Sequence, residues 1–215
     1  MKKNLLLAVT VIAMATACKK AEDKAIDTTP STADTTAVKE EAPAPAMDSA
    51  TVAKAWEDYM TPGEAHKMLA MDNGTWNVEV TWFDPQTGQG QKGTMSAESK
   101  MIMGGRYQQT THKGTFMGMP FEGIATVGHD NASGKMVSTW VDNMGTGIMF
   151  MRGDYDPSTK TIEFRGEMTD PLTKKSKPAR EIFAITDANT RKMEMFDLGP
   201  DGKEYKSMEI VMTRK

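Results

Sequence analysis

The chain has 215 residues, of which 39% are hydrophobic, and 26 Lys and Arg stand against 29 Asp and Glu. This length accommodates one ordinary domain and a tail. A formal net charge of -3 without a Lys/Arg-dense stretch argues against a nucleic-acid partner, because phosphate binding needs a clustered basic surface. The single cysteine rules out an internal disulfide, and without CxxC or HxxxH spacing we predict neither a metal site nor a cofactor.

The N-terminus has the pattern of an export signal, predicted over residues 1–17. Two lysines precede an apolar run from Leu5 to Ala15, which is shorter than the roughly 20 residues that span a bilayer as a helix. Small residues then lead into Cys18, an arrangement that resembles the bacterial lipobox. The resemblance implies cleavage before Cys18 and attachment of a diacylglycerol, which would anchor the protein to a membrane. We therefore predict an outer-membrane lipoprotein in the cell envelope of a gram-negative bacterium; the alternative is an ordinary signal peptide with an incidental cysteine.

Residues 18–50 are predicted to form a disordered tether behind the lipidated cysteine. The segment is rich in Ala, Thr, Pro and charged residues and has no aromatic residue, so it cannot bury enough apolar surface to offset the entropy of ordering. About 30 such residues reach roughly 30 Å, enough to hold a domain clear of lipid headgroups. Glu22 and Asp23 resemble surface-export signals of some gram-negative lipoproteins, but two preceding lysines leave open whether the protein faces the periplasm or the cell surface.

A helical segment is predicted over residues 51–71. Apolar residues recur there at spacings of three and four, at Val52, Ala55, Trp56 and Tyr59. Pro62 and Gly63 interrupt the pattern, and Pro62 suits the first turn of a second short helix. One or two short helices are therefore expected before the sheet.

Over residues 72–215 the apolar period changes to two, as in β-strands. The predicted strands are 75–83, 91–103, 106–113, 121–129, 135–142, 147–155, 161–168, 179–186, 191–198 and 204–213. The connections are short and rich in Gly, Pro, Asn and Asp, so successive strands should be antiparallel neighbours. We predict an all-β fold, an antiparallel up-and-down β-barrel of about ten strands, because closure removes the exposed edges that a sandwich would keep.

Alternation along these strands indicates which face is buried. Trp76, Val78, Val80 and Trp82 share one face of the first strand, whereas the residues between them are polar. Two later strands repeat the pattern with Ile162, Phe164 and Met168, and with Met208, Ile210 and Met212. The interior is therefore expected to be aromatic at the first strand and rich in methionine elsewhere.

Several motifs resemble known families. The Gly74-Thr75-Trp76 sequence at the start of the first strand resembles the Gly-x-Trp signature of the calycin barrels, in which an Arg of the last strand packs on the Trp; Arg214 is the positional candidate. Three further stretches, 104–107, 118–123 and 128–142, resemble the bacterial domain-of-unknown-function family numbered 1579. This resemblance covers about residue 62 to the C-terminus. It implies a ten-stranded calycin-like barrel and brings no established activity or catalytic residue.

The 20 methionines are the main compositional anomaly. Eight of them form Met-x-Met pairs: Met101 and Met103, Met117 and Met119, Met149 and Met151, and Met193 and Met195. Thioethers suit Cu(I), so a copper or silver site is one interpretation. The favoured interpretation is packing of a barrel interior by adaptable apolar side chains, since no His or Cys lies inside any pair.

Catalytic chemistry finds little support in the sequence, and we predict no catalytic residue. His66, His112 and His129 are not spaced as metal ligands, and structural or solvent-exposed roles are expected for them. Arg106 could pair with Glu122, Asp130 or Asp142, which favours a structural ion pair over acid–base catalysis. Neither a Gly-x-Ser-x-Gly elbow nor a phosphate-binding Gly-Lys-Ser/Thr loop is present.

Two functions from different classes remain, with catalysis as a third and weaker alternative. In the first, the barrel binds a small apolar or amphipathic molecule in a cavity lined by Trp76, Arg106, Tyr107, Trp140 and Asp142 together with inward methionines. In the second, side chains fill the interior and the barrel is a structural or interaction module of the envelope. Strand count does not decide between them, and no protein partner can be inferred from the sequence.

Overall fold

The computed structural model describes residues Met47–Gly199 and Asp201–Lys215. The predicted signal peptide 1–17, the lipidation site Cys18 and nearly all of the predicted tether lie outside the described residues. Within the described part, no helix is both long and apolar enough to cross a membrane.

Two short helices precede the sheet. Helix α1 spans Ser49–Met60 and begins where the Asp48 carboxylate accepts hydrogen bonds from the two backbone N–H groups of Ala50 and Thr51, each at 3.0 Å. It has no buried residue. Helix α2 spans Glu64–Ala70 and buries His66 and Leu69 against the barrel.

Ten strands follow, and their bounds lie within three residues of the predicted ones. They are β1 (Gly74–Phe83), β2 (Gly90–Ile102), β3 (Tyr107–Phe116), β4 (Met119–Asp130), β5 (Lys135–Asp142), β6 (Met149–Asp156), β7 (Thr161–Thr169), β8 (Ser176–Ile185), β9 (Thr190–Leu198) and β10 (Glu204–Arg214).

The strands close into one antiparallel barrel in sequence order, with β1 paired to β10. The closing register runs from Trp76 opposite Arg214 to Trp82 opposite Met208. Apart from this closing pair, each strand pairs only with the strands that precede and follow it in the chain, so the connections are all hairpins. The predicted up-and-down barrel, with two short helices before it, is confirmed.

Two strand ends differ from the prediction. Strands β3 and β4 extend to a two-residue turn at Met117 and Gly118, both with positive φ, where the sequence indicated a longer loop. Strand β8 begins at Ser176 although Pro178 cannot donate to a ladder. The start of β8 tolerates this proline because pairing with β9 begins only at Arg180, which leaves that edge free.

The inward faces form the core as the alternation predicted. Trp76, Val78 and Val80 are each at most 2% exposed. A second buried cluster lies mainly on β5–β7, across the barrel from β1, and Leu69 of α2 inserts into it. Its strand residues include Met136, Met151, Ile162 and Phe164. Methionines therefore supply much of the packing in the half of the barrel nearest α2.

Candidate functional site

One end of the barrel is closed around Trp76. The indole is fully buried and donates a hydrogen bond of 2.9 Å to the backbone carbonyl of Asp72. Arg214 lies over the ring, with its Cζ 4.3 Å from the ring centroid, as the calycin resemblance implied. Gly74 has a φ of +124°, and a Cβ there would lie 3.1 Å from the Arg214 guanidinium, which explains the glycine of the Gly-x-Trp motif.

A buried ion pair reinforces this closed end. The Arg191 side chain is 2% exposed and donates to the Asp72 carboxylate, with Nε at 2.8 Å. Its remaining donors reach the carbonyls of Asp187 and Thr190. Helix α2 covers the neighbouring part of the opening, where the Gln108 amide donates to the Leu69 carbonyl. These contacts make the closed end a structural plug rather than a binding site.

The half of the barrel away from Trp76 is lined by a continuous aromatic wall. Trp82 contacts Phe116 with centroids 4.9 Å apart, Phe116 lies 6.3 Å from Phe121, and Phe121 stacks on Trp140 at 6.3 Å. Their strand positions turn all four side chains inward, yet all four are only half-buried. Inward side chains with that exposure border space that solvent can enter from this end, which we call the open half.

Polar groups accompany the aromatic wall. The Trp140 indole donates a 2.6 Å hydrogen bond to Asp142 at the rim, and the same carboxylate accepts from two backbone N–H groups of the next turn. His112 lies deeper, with its ring 5.4 Å from that of Trp140. Burial lowers the pKa of His112 to about 4, so this imidazole is neutral at physiological pH.

The opposite wall of the open half combines methionine with charge. Its half-buried inward methionines are Met149, Met168, Met195 and Met208. Lys177 and Asp197 form an inward ion pair of 2.6 Å. Glu181, between Lys177 and the closed end, is 7% exposed, and burial raises the pKa of its carboxyl to about 7.

The structure separates the five predicted cavity residues into three places. Trp140 and Asp142 lie in the open half, whereas Trp76 is sealed in the closed end. Arg106 and Tyr107 lie outside the interior, at the closed end near α1: Arg106 donates to the backbone carbonyls of Met60 and Met103 and so does not meet Asp142. The two residues instead border a cavity of about 170 Å³ beneath α1, which His66, His129 and Asn131 also line.

The four Met-x-Met pairs differ in exposure and in the direction in which their side chains point. Met103 and Met117 occupy turns with positive φ and are exposed, so each points away from its partner's strand face. The pairs on β6 and β9 both face inward, but two strands separate them in the barrel. Within the described residues, no group of three His, Cys, Asp or Glu side chains is placed to hold a metal ion.

A wide groove of about 390 Å³ lies on the outer face of β1–β3. Its rim residues Asn77, Glu79, Ser96 and Lys113 point outward. This groove is larger than the cavity beneath α1, but it is open to solvent and has no buried polar side chain in its lining. The open half, with its aromatic wall and buried carboxyl, is therefore the better candidate site.

The sequence matches the family described as "Protein of unknown function (DUF1579)" over residues 61–214. The chain belongs to this family. No curated protein matches the sequence. Among solved structures, it is similar to the crystal structure of Rv2717c from M. tuberculosis, with a TM-score of 0.55 and 13% identity over 72% of this chain and 99% of that one. At this identity the likeness shows the barrel fold alone. A redesigned β-barrel aligns with a TM-score of 0.36 and 14% identity, over 68% of this chain and 94% of that one.

Sequence analysis of this DUF1579 protein did not single out Phe116, Phe121 or Glu181. Phe116 fell in a predicted loop that the structure shows as strand. Glu181 had a recognisable signal, since it lies on the same face as Ala179 and Phe183 of a predicted strand. A carboxyl on an otherwise apolar face is a marker of function or of a buried ion pair.

Proposed function

We propose that this DUF1579 protein binds a small apolar or amphipathic molecule in the open half of its barrel. The observation that carries this proposal is the aromatic wall of Trp82, Phe116, Phe121 and Trp140, which faces inward yet keeps solvent-accessible surface. Exposed aromatic surface inside a fold is unfavourable unless a ligand covers it, because each ring leaves a large apolar area in water. Flexible methionines on the opposite wall would adapt to ligands of irregular shape.

A second part of the proposal concerns the location of the protein, the cell envelope. We infer from the predicted lipobox that Cys18 carries a diacylglycerol and that the barrel is tethered to the outer membrane of a gram-negative bacterium. The test is metabolic labelling of cells with an alkyne-tagged fatty acid. Label on the wild-type chain, and its loss in Cys18→Ala together with release from the membrane fraction, would support this; equal labelling of both chains would overturn it.

Two glycines of β4 supply a matched pair of variants for the binding site. A Cβ at Gly123 would lie 2.4 Å from the Trp140 ring, on the inner face. A Cβ at Gly128 would lie 2.7 Å from the Tyr107 ring, on the outer face. Each alanine therefore displaces one aromatic ring from the same strand, but only Gly123→Ala moves a ring of the aromatic wall.

The experiment measures binding of the uncharged fluorescent probe N-phenyl-1-naphthylamine to the chain carrying Cys18→Ser, so that no acyl chain is attached. We expect fluorescence enhancement with the parent protein, weakening by about tenfold in Gly123→Ala and little change in Gly128→Ala. No binding by the parent protein, or equal losses in both variants, would instead favour the filled structural barrel. Native mass spectrometry of the protein from its own host's envelope would then identify a carried molecule by mass.

A further inference from the structure

The Glu181 carboxyl is buried inside the barrel without a protein partner among the described residues. Its place in the ladder is between Phe164 of β7 and Met195 of β9, both of which face inward. Its chain neighbour Arg180 points outward and pairs with Glu204 on the outer surface. Glu181 is 7% exposed and makes no hydrogen bond within the described part of the chain. Every fully buried side-chain oxygen in that part has a hydrogen-bond partner, so the carboxyl oxygens of Glu181 are not fully buried. Its carboxyl oxygens therefore face accessible space inside the barrel.

The surroundings of Glu181 leave its charge uncompensated. The inward residues of β7 are Ile162, Phe164, Gly166 and Met168, none of which titrates. Strand β9 contributes Arg191 and Asp197, and β8 itself contributes Lys177. Each of these three is already in an ion pair, Arg191 with Asp72 and Lys177 with Asp197.

The balance of charge in the described interior is consequently acidic. Arg191 and Lys177 each have a carboxylate partner, and Arg214 is held at the closed end over Trp76 by two backbone carbonyls. His112 is neutral because burial lowers its pKa to about 4. Glu181 and Asp142 have no cationic partner, but Asp142 accepts hydrogen bonds from Trp140 and from backbone N–H groups. Glu181 is thus the inward carboxyl whose acceptor capacity is unused, which favours a ligand that brings its own donor.

From this arrangement we propose that the ligand is an amphipathic amine, whose ammonium group binds Glu181 while its apolar body covers the aromatic wall. The inference rests on the proposed function and names the chemical class of its ligand. The aromatic wall supports the choice of a cation, since the faces of Trp82, Phe116, Phe121 and Trp140 attract positive charge as well as apolar surface. A carboxylate ligand would meet like charge, and a neutral ligand would leave Glu181 without a compensating charge.

The test compares three probes with the same ten-carbon chain, decylamine, decan-1-ol and decanoate, by displacement of N-phenyl-1-naphthylamine from the Cys18→Ser chain. At about pH 8 we expect decylamine to bind at least about tenfold more tightly than decanol, and decanoate most weakly. The isosteric variant Glu181→Gln should bring decylamine and decanol within about twofold of each other. Asp142→Asn is the matched control, because it removes the other inward carboxylate that lacks a cationic partner, and it should keep the preference for the amine.

Each outcome separates this inference from the proposed function. If decylamine and decanol bind equally to the parent chain, or if Asp142→Asn rather than Glu181→Gln removes the preference, the amine assignment to Glu181 is wrong and the binding barrel stands. If the parent chain does not bind N-phenyl-1-naphthylamine at all, the proposed function itself fails; if the probe binds but none of the three ligands displaces it, the amine assignment is wrong. Lowering the pH to about 5, where Glu181 is protonated and decylamine stays charged, should weaken the amine preference of the parent chain, whereas the affinities of Glu181→Gln for decylamine and decanol should stay within about twofold of each other. A preference of the parent chain that does not change with pH would contradict the assignment.

Discussion

The Arg214 guanidinium covers the Trp76 indole and ties the last strand to the segment that enters the first. Besides its contact with the ring, it donates hydrogen bonds of 2.7 Å to the backbone carbonyls of Met71 and Asn73. These carbonyls follow helix α2, so one side chain links β10, the plug and β1. The closed end therefore depends on a planar cation that can stack and donate in two directions at once.

Truncation of this side chain should destabilise the whole barrel. We expect Arg214→Ala to lower the free energy of unfolding by about 2 kcal/mol, from loss of the stacking and of two hydrogen bonds. Arg214→Lys is the control, since its ammonium keeps the charge but cannot reproduce the paired geometry, and it should lose about half as much. Urea denaturation followed by tryptophan fluorescence measures both; an Arg214→Ala protein as stable as the parent would show that Trp76 packing alone closes this end.

The Asp72–Arg191 pair should behave as a buried ion pair. Replacing only the carboxylate, in Asp72→Asn, leaves a guanidinium that is 2% exposed without its counter-ion, and we expect a loss of about 3–5 kcal/mol. The double variant Asp72→Asn with Arg191→Gln removes both charges and should be more stable than Asp72→Asn alone. Thermal unfolding of the parent and variants checks this order. Additive losses in the double variant would mean that the two residues act independently.

Stability should depend on pH through Glu181 and His112 in opposite directions. Because the folded-state pKa of Glu181 is raised from 4.5 to about 7, the folded state holds this proton more tightly, and stability present below pH 4.5 is lost as pH rises through 7. The pKa of His112 is lowered from 6.5 to about 4, so its contribution is present above pH 6.5 and is lost as pH falls through 4. Each shift corresponds to about 3 kcal/mol.

These opposite slopes give the variants distinct signatures. Between about pH 4.5 and 6.5 the two contributions roughly cancel in the parent chain. Glu181→Gln should remove the falling contribution, so that stability rises with pH across this interval. His112→Gln should remove the rising contribution, so that stability falls. Chemical denaturation at a series of pH values measures both slopes, and identical profiles for the two variants would refute the assignment.

Helix α1 should detach locally without unfolding the barrel. It has no buried residue, and the Asn131 amide holds its C-terminal end by donating to the carbonyls of Asp58, Tyr59 and Thr61. We expect Asn131→Ala to raise hydrogen exchange of the α1 amides severalfold while global stability changes by less than about 1 kcal/mol. Asn143→Ala, which breaks similar contacts at the other end of the barrel, is the control and should leave α1 exchange unchanged. Unchanged α1 exchange in Asn131→Ala would show that other contacts hold the helix.

The sequence by itself determined the fold to within a few residues at each strand end. Alternation put Trp76, Val78, Val80 and Trp82 on one face, and the turn residues specified hairpins, because both patterns depend on local backbone geometry. The Gly-x-Trp motif even indicated the partner of Trp76, since calycin-like closure brings the start of β1 beside the end of β10. A predicted strand boundary was wrong where the tertiary structure outweighed a local signal. Pro178 indicated a later start for β8, but the unpaired edge of β8 accommodates this proline.

The composition of the candidate site was decided only by closure of the barrel. Alternation does not distinguish Trp76, sealed beneath Arg214, from Trp82, which faces the accessible half, because both lie on the same face of one strand. Likewise Arg106 and Trp140 both lie in motifs that resemble the DUF1579 family, yet in the folded chain Arg106 borders the cavity beneath α1 and Trp140 lies in the interior. Depth along the barrel axis is set by the strand tilt and by the side on which α2 plugs the end, and neither is specified by a period of two.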